Sequence, residues 1–277
     1  MAVSSELADR VVVVFGASGG LGAGVSRRCA ESGARLALVD IDAVALSSVC
    51  EELRSASAVD VFTCTADVAK PDDVDRAVAA VRAEFGRIDL AVNTVGVTNV
   101  GVSWELSQQD WQWVLAVNLW GAININRAVV PHMVTSGAGH VVHTSSTTAL
   151  APGRPGVGPY SVSKHGLVAL CEGLQQDLRA HGADVKVSVF IPGTTRSSIA
   201  SSERHRQPKF GAPSSRPADI AAMQAHLDTN GIDGYDAAAD LLAGVTEGRF
   251  YIFARNVDRS IVAARADAIL GGFLPPS

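Results

Sequence analysis

The sequence predicts an α/β fold: a doubly wound, seven-stranded parallel sheet with helices on both faces, built as a single domain over residues 1–277. Short runs rich in Val and Ile alternate with longer segments whose apolar residues recur every three or four positions, the mark of repeated strand–helix units. No linker-like stretch divides the chain, and its length suffices to bury one large core.

Strands are expected at 10–15, 35–39, 60–64, 88–92, 140–144, 185–191 and 250–253, and helices between them at 21–32, 43–54, 71–85, 107–134, 160–181 and 237–247. Asp42 is placed as an N-cap, and Pro71 with Asp72 and Asp73 forms a first turn. Residues 196–234 break the alternation. They are polar, rich in Ser, Arg and Pro, with one short helical pattern at 219–227, and a loop of that length reads as a substrate lid. A tail at 255–277 carries a helical stretch at 262–270 and ends in Phe273-Leu274-Pro275-Pro276, a segment suited to reaching a neighbouring subunit.

Composition narrows the partners. A net charge of -5 with scattered charges argues against nucleic acid, and no basic run marks a membrane surface. The longest apolar stretch near the start, 11–15, is far shorter than the roughly 20 residues of a membrane span, and no signal-peptide pattern precedes it, so a cytoplasmic location is expected. Cys29, Cys50, Cys64 and Cys171 lie far apart without a CxxC pair; they suggest neither a disulfide framework nor a zinc site, and read as small buried hydrophobes. No metal is expected, and the partner is a small molecule.

The first strand runs into Gly16-Ala17-Ser18-Gly19-Gly20-Leu21-Gly22 and then a helix. Glycines there permit a tight turn and let the backbone approach a pyrophosphate, which the helix N-terminus favours, although such glycines also serve packing alone. Asp40, at the end of the second strand, is placed to accept from the adenosine ribose hydroxyls, or else to cap a helix. Its carboxylate would repel a 2′-phosphate, and neither Ser18 nor Ile41 offers a compensating cation, so NAD is favoured over NADP. Arg27 and Arg28 lie further along the helix, where solvent exposure is their expected role.

The second signal is Tyr160-Ser161-Val162-Ser163-Lys164, with Ser145-Ser146 closing the fifth strand. Residues four apart share a helix face, so the Lys164 ammonium lies near the Tyr160 phenol and favours its phenolate. That would bring Tyr160 toward acid–base chemistry, with Ser146 hydrogen-bonding a substrate oxygen. A lone YxxxK is more often a plain surface helix; its weight here comes from the residues around it.

In this ordered set the chain resembles the single-domain short-chain dehydrogenase/reductase family, over nearly everything from Arg10 to Phe253. The glycine pattern falls on Gly16, Gly20 and Gly22, the acidic ribose ligand on Asp40, an adenine-contacting Asp-Val on Asp67-Val68, and the NNAG element on Asn93-Thr94-Val95-Gly96. The catalytic asparagine, serine, tyrosine and lysine fall on Asn118, Ser146, Tyr160 and Lys164, and a Pro-Gly turn on Pro192-Gly193, followed by Thr194, Thr195, Arg196 and Ser197. The resemblance implies a Rossmann-type fold and an NAD-dependent oxidoreductase acting on a secondary alcohol or ketone. Tyr160 would be its general acid or base, Ser146 the substrate-orienting group and Lys164 the tyrosine activator and ribose ligand, with Asn118 holding a relay water or simply kinking its helix. The cofactor contacts implied are Gly16, Ser18, Gly19, Gly20, Leu21, Gly22, Asp40, Ile41, Asp67, Val68, Asn93, Thr94, Val95, Gly96, Tyr160, Lys164, Pro192, Gly193, Thr195 and Ser197.

The chain departs from the pattern at Phe15, Thr94, Val95 and Ser197, which bears on fine cofactor geometry. Ser146 to Tyr160 is one residue longer than the commonest spacing, so the serine role could slide to Thr147. Around the reacting centre, Trp104 and Val100 are expected as apolar wall, with Thr194 and the lid. Arg196, Arg204, His205, Arg206, Lys209 and Arg216 on the lid would attract an anionic substrate unless they are merely solvated. Trp113, Leu115, Leu119, Ile123, Leu167, Leu170, Leu174 and Leu178 give two helices more apolar surface than one sheet face needs, and the family commonly pairs them into a homodimer or homotetramer, though core packing would also explain them. Two other functions compete: an NADP-dependent reductase of carrier-linked 3-ketoacyl groups, which the lid suits and Asp40 does not, and a non-catalytic NAD-binding sensor. Sugar-nucleotide epimerases use a similar Tyr and Lys but usually carry a larger C-terminal domain.

Overall fold

The computed structural model describes residues 7–57, 59–151 and 154–273. Seven strands, β1 (Val11–Phe15), β2 (Arg35–Asp40), β3 (Val61–Thr65), β4 (Leu90–Asn93), β5 (Gly139–Thr144), β6 (Val185–Ile191) and β7 (Tyr251–Phe253), form one parallel sheet in the order β3-β2-β1-β4-β5-β6-β7. Phe15 pairs with Val39 on one side and Asn93 on the other, so these strand ends lie level. The order reverses between β1 and β4, and loops leaving such a switch point diverge and open a crevice.

β1 shows why the strands read as unbroken apolar runs. Val11, Val13 and Phe15 face one core and Val12 and Val14 the other, so both faces are buried. The first core lies under α3 (Pro71–Phe85), α4 (Gln108–Leu115), α5 (Gly121–Ser136) and α6 (Gly158–Ala180); the second lies under α1 (Gly20–Glu31), α2 (Ala43–Ala56) and α8 (Gly234–Thr246). The capping signals hold: Asp42 accepts from Ala45 N at 3.0 Å, and Pro71 opens α3 with Asp72 and Asp73 in its first turn. Two further helices are α7 (Pro217–Asn230) and α9 (Ser260–Gly271).

Three departures from expectation have local causes. The helix expected over 107–134 is α4 and α5 joined by a widened π turn, Ala116–Trp120, with Asn118 at its middle. α8 starts three residues early because Asp233 accepts from Tyr235 N at 2.8 Å, and because Gly234 lets α8 cross α1 backbone to backbone. A Cβ on Gly24 would fall 2.4 Å from Gly234 O, a separation no side chain tolerates. The lid, finally, is largely helical, with short turns at Ile199–His205 and Pro208–Phe210 before the fourteen-residue α7.

Gln108–Ser136 is long and apolar enough to cross a membrane, but 67% of its apolar window is buried inside the fold, as a core helix. Residues 274–276 of the tail motif lie outside the described residues.

Candidate active site

A cavity of about 620 Å³ opens above the C-terminal ends of the central strands. At one end lies the glycine turn. Gly16 sits at φ +81°, and a Cβ there would meet Thr94 Oγ1 at 2.8 Å, so both conformation and space demand glycine. Thr94 donates to Phe15 O at 2.9 Å and Gly16 O at 3.1 Å, and thus uses its departure from the family pattern to tie the β4 loop to the turn. Phe15 itself is fully buried in the core. No side chain caps α1 and its first turn holds no acidic residue, so the amides of Gly20, Leu21 and Gly22 face the cavity with the positive end of the helix. Asp40 accepts from Ser18 N at 2.9 Å and Asp42 N at 3.0 Å, which fixes its carboxylate at the rim. This donor-lined turn beside a fixed carboxylate fits the pyrophosphate and ribose of a dinucleotide.

Every residue expected to touch the cofactor lines this cavity except Asn93. Asn93 instead accepts from Val95 N at 3.0 Å and donates to His143 Nδ1 at 3.0 Å, and His143 Nε2 lies 2.8 Å from Asn126 Oδ1. It therefore shapes the loop from behind. Burial first, then the Lys164 charge, pushes His143 down to about 3, so the ring is a neutral strut.

At the other end, β5 and α6 bring Ser146, Tyr160 and Lys164 together. Lys164 Nζ lies 5.6 Å from the Tyr160 ring centre and donates to Thr144 O at 2.8 Å, while Ser145 Oγ donates to Lys164 O at 3.0 Å. Burial pushes the Lys164 ammonium down to about 8. The expected lowering of the phenol is not what these contacts produce: burial pushes Tyr160 up, with the Ser146 hydroxyl pulling the other way. Lys164 uses one of its three N–H donors on the strand carbonyl, and its charge sits across the ring face. The hydroxyl beside the phenol is that of Ser146, while Thr147 lies on the cavity wall.

Asn118 does not line the cavity. Its Oδ1 accepts from Val97 N at 2.8 Å, and its Nδ2 donates to Val97 O at 2.9 Å and Ser163 Oγ at 3.0 Å; Ser163 Oγ in turn donates to Tyr160 O at 2.7 Å. The widened turn thus pins the tyrosine's helix to the β4 loop. π turns of this kind recur at functional sites.

Three expectations are corrected, one of them in the lid. Its cations are largely engaged: Arg206 makes an ion pair with Asp110 at 2.6 Å with both side chains buried, Arg204 bonds Ser198 and Ser201, Arg216 pairs with Asp219 and Arg196 with Asp233. Trp104 is 86% exposed and stands off the cavity, whereas Val100 and Thr194 line it. Arg28 is half-buried, its guanidinium 3.7 Å from the Tyr235 ring, where it ties α1 to α8; Arg27 pairs with Glu52 at 2.7 Å. The 196–234 segment brings the expected Arg204 and His205 to the cavity wall, and adds wall that the sequence did not signal: Met223 and Leu227 from α7, and Gln207 from the turns before it. None stands in a recognisable motif, and only the fold of the lid brings them in.

A single-domain parallel sheet with this switch-point cavity and a Ser-Tyr-Lys cluster defines the dinucleotide-dependent oxidoreductases. The sequence model of the short chain dehydrogenase family matches residues 10–208, and the chain belongs to that family, whose members bind NAD or NADP. It is 36% identical to the 1-deoxy-11-beta-hydroxypentalenate dehydrogenase of Streptomyces exfoliatus, over 68% of each chain. Among solved structures, a short-chain dehydrogenase/reductase of Burkholderia phymatum in complex with NAD superposes with a TM-score of 0.93 at 30% identity, covering 98% of each chain. A metagenomic short-chain oxidoreductase in complex with NADP reaches 0.67 at 28% identity, over 89% of this chain and 93% of its own.

Proposed function

We propose that the chain moves a hydride between NAD(H) and a secondary alcohol or its ketone, with Tyr160 as general acid or base. The observation that carries this is the arrangement of one cavity: an uncapped helix end and the Asp40 carboxylate at one side, Ser146, Tyr160 and Lys164 at the other. When bound, the nicotinamide supplies or accepts the hydride. The protein's part is the proton. Ser146 would hold the substrate oxygen against the Tyr160 hydroxyl, which gives or takes its proton there, with the Lys164 ammonium 5.6 Å from the ring centre. Asn118 serves as a positioning residue through Ser163; a relay water beside it would use the remaining Oδ1 lone pair or backbone opened by the widened turn.

NAD is favoured because the Asp40 carboxylate, anchored by two backbone N–H groups, would repel a 2′-phosphate at the adenosine ribose. The substrate is expected to be largely apolar, since Val97, Val100, Trp113, Val117, Met223 and Leu227 dominate its wall. That composition, and the pairing of the lid cations, weigh against an acidic carrier-linked substrate. Residues 196–234 act as the lid. Copies are expected to pair through α4, α5 and α6, where Trp113, Leu167 and Leu178 are core but Leu115, Leu119, Ile123, Leu170 and Leu174 are half-buried, and Trp120 and Val162 are 57% and 50% exposed. The four cysteines are unpaired, which suits the cytoplasm.

Titration with NADH and NADPH by nicotinamide fluorescence, followed by a screen of secondary alcohols, tests the reading. NADH is expected to bind tighter by at least tenfold and to support turnover. Preference for NADPH overturns the Asp40 argument, and binding without turnover of any alcohol makes the protein a sensor.

A further inference from the structure

We infer, on the reading that Ser146 orients the substrate, that Arg265 of α9 is a positioning residue for that serine. After β5 the chain makes one 3₁₀ turn, Thr147–Ala149, with Ser146 as its N-cap: Ser146 Oγ accepts from Thr148 N at 3.2 Å. That bond fixes the hydroxyl oxygen and leaves its proton free to donate. The turn is short. Ala149 N donates to Ser146 O at 3.0 Å, and Leu150 N and Ala151 N donate to Thr147 O at 3.0 and 2.8 Å. The carbonyls that follow have no acceptor role inside the turn, as at any helix C-terminus.

Arg265 supplies their partner. Its Nη1 donates to Ala151 O at 2.8 Å, lies 3.4 Å from Ala149 O and meets His165 Nε2. A guanidinium only donates, so Nε2 accepts and the ring is neutral, with its Nδ1 proton donated to Ser161 O at 2.8 Å. Both contacts of the ring agree on that tautomer. One cation therefore caps the end of the serine's turn and fastens it to α6 one residue past Lys164. On the strand side of Ser146, Ser145 Oγ makes the matching tie to Lys164 O at 3.0 Å. Ser146 is thus held to α6 from both sides, and without Arg265 only the strand side remains.

The competing role for Arg265 is to anchor α9 and nothing more. α9 buries no residue; only Ile261, Arg265 and Ala268, spaced four and three apart, are half-buried and mark its inner face. The same helix carries its own control. Arg259, at its start, holds its guanidinium 5.0 Å from the Phe253 ring and, among the described residues, makes no bond to the Ser146 turn. Loss of either cation loosens α9, but only loss of Arg265 releases the serine.

The test compares Arg265→Ala with Arg259→Ala by hydrogen exchange and by steady-state kinetics on the secondary alcohol that the wild type turns over fastest. The Thr148 amide reports the serine directly, because Ser146 Oγ is its acceptor. Arg265→Ala is expected to speed exchange at Thr148 and Ala151 about tenfold and to lower kcat about tenfold, with NADH affinity within about twofold of wild type. Arg265→Lys is expected to recover most of both losses, and Arg259→Ala to show neither. Unchanged exchange at Thr148, a kcat within about twofold of wild type, or equal losses in Arg259→Ala overturns the inference and leaves the hydride-transfer reading standing, since Arg265 would then only anchor α9. Should Arg265→Ala not fold, Arg265→Gln, which keeps an amide donor for Ala151 O but not the charge, replaces it under the same criteria. A wild type that turns over no alcohol is a separate result, which removes the reading of Ser146 and this inference with it.

Discussion

The glycine turn and the lid face each other across one cavity but are held by different forces. The turn is set by backbone: Gly16 at positive φ, Gly24 and Gly234 in backbone contact, and Asp40 fixed by two amide donors. The lid is set mainly by long-range side-chain contacts, with Phe210 as its large anchor in the first core. Arg206 pairs with Asp110, Ser202 bonds Thr98, Ser215 bonds Val100 N, and Gln224 bonds Ser197 O, while α7 buries no residue at all. A few specific bonds over a small buried surface allow a segment to open without unfolding the sheet, whereas continuous core packing ties the turn to global stability. The Ser146, Tyr160 and Lys164 cluster sits between them, on the rigid side.

The largest effect separates chemistry from both regions. Tyr160→Phe is expected to lower turnover by roughly 10²–10⁴-fold while NADH affinity stays within a few-fold. Steady-state kinetics and fluorescence titration check this, and unchanged turnover would remove Tyr160 from the mechanism.

Arg206→Ala attacks the lid. Removing one partner of a buried pair leaves Asp110 uncompensated, at a cost of ~3–5 kcal/mol. If the segment opens locally, the expected signature is fast hydrogen exchange over 199–216 and a raised KM, with β1 and β4 amides still protected. The same pair gives a pH dependence. Burial raises the Asp110 carboxyl, but hydrogen bonds from Ser214, Ser107 and Arg206 outweigh it and hold the group at about 2. A depressed carboxylate stabilises above its unfolded value of ~3.9 and loses that contribution as pH falls. Lid exchange, corrected for the intrinsic amide rate, should therefore quicken from about pH 4 towards about 2, and Arg206→Ala should weaken the dependence.

Gly24→Val is the matching attack on the scaffold. Its side chain has no room beside Gly234 O, so α1 and α8 must separate, at ~1–3 kcal/mol or more. Here the melting temperature itself should fall, with exchange rising across the sheet. Equal behaviour of Gly24→Val and Arg206→Ala would erase the distinction between the two regions.

The same division explains what was legible in the sequence. The strands could be read because β1 buries both faces and so appears as an unbroken apolar run, and α2 because Asp42 caps it from the next residue. Tyr160 and Lys164 share a helix face, so their meeting needed only local geometry. Asn93 was misread because its partner His143 lies fifty residues away, and the Arg206 charge was misread as free because Asp110 lies ninety-six residues away. Gln207 carried no signal for the same reason: its acceptor, Asp67, is one hundred and forty residues distant. The direction of the Tyr160 shift depended on burial, which a spacing does not encode.

Ser202→Ala should give the smallest effect and the finest test of the contrast. Ser202 Oγ accepts from Thr98 N at 3.0 Å and donates to Thr98 O at 3.2 Å, joining the lid to the β4 loop across a buried contact. Alanine keeps the apolar fit and leaves two backbone groups without their partner, a loss of ~1–2 kcal/mol confined to this seam. Exchange at Thr98 and over 199–205 is expected to rise about tenfold, with the melting temperature nearly constant, because 1.4 kcal/mol corresponds to roughly tenfold in a local opening equilibrium. A comparable rise in the amides of β1, which Ser202 does not touch, would mean that lid and scaffold open together, and that the lid is part of the core's cooperative unit rather than a segment fastened to it.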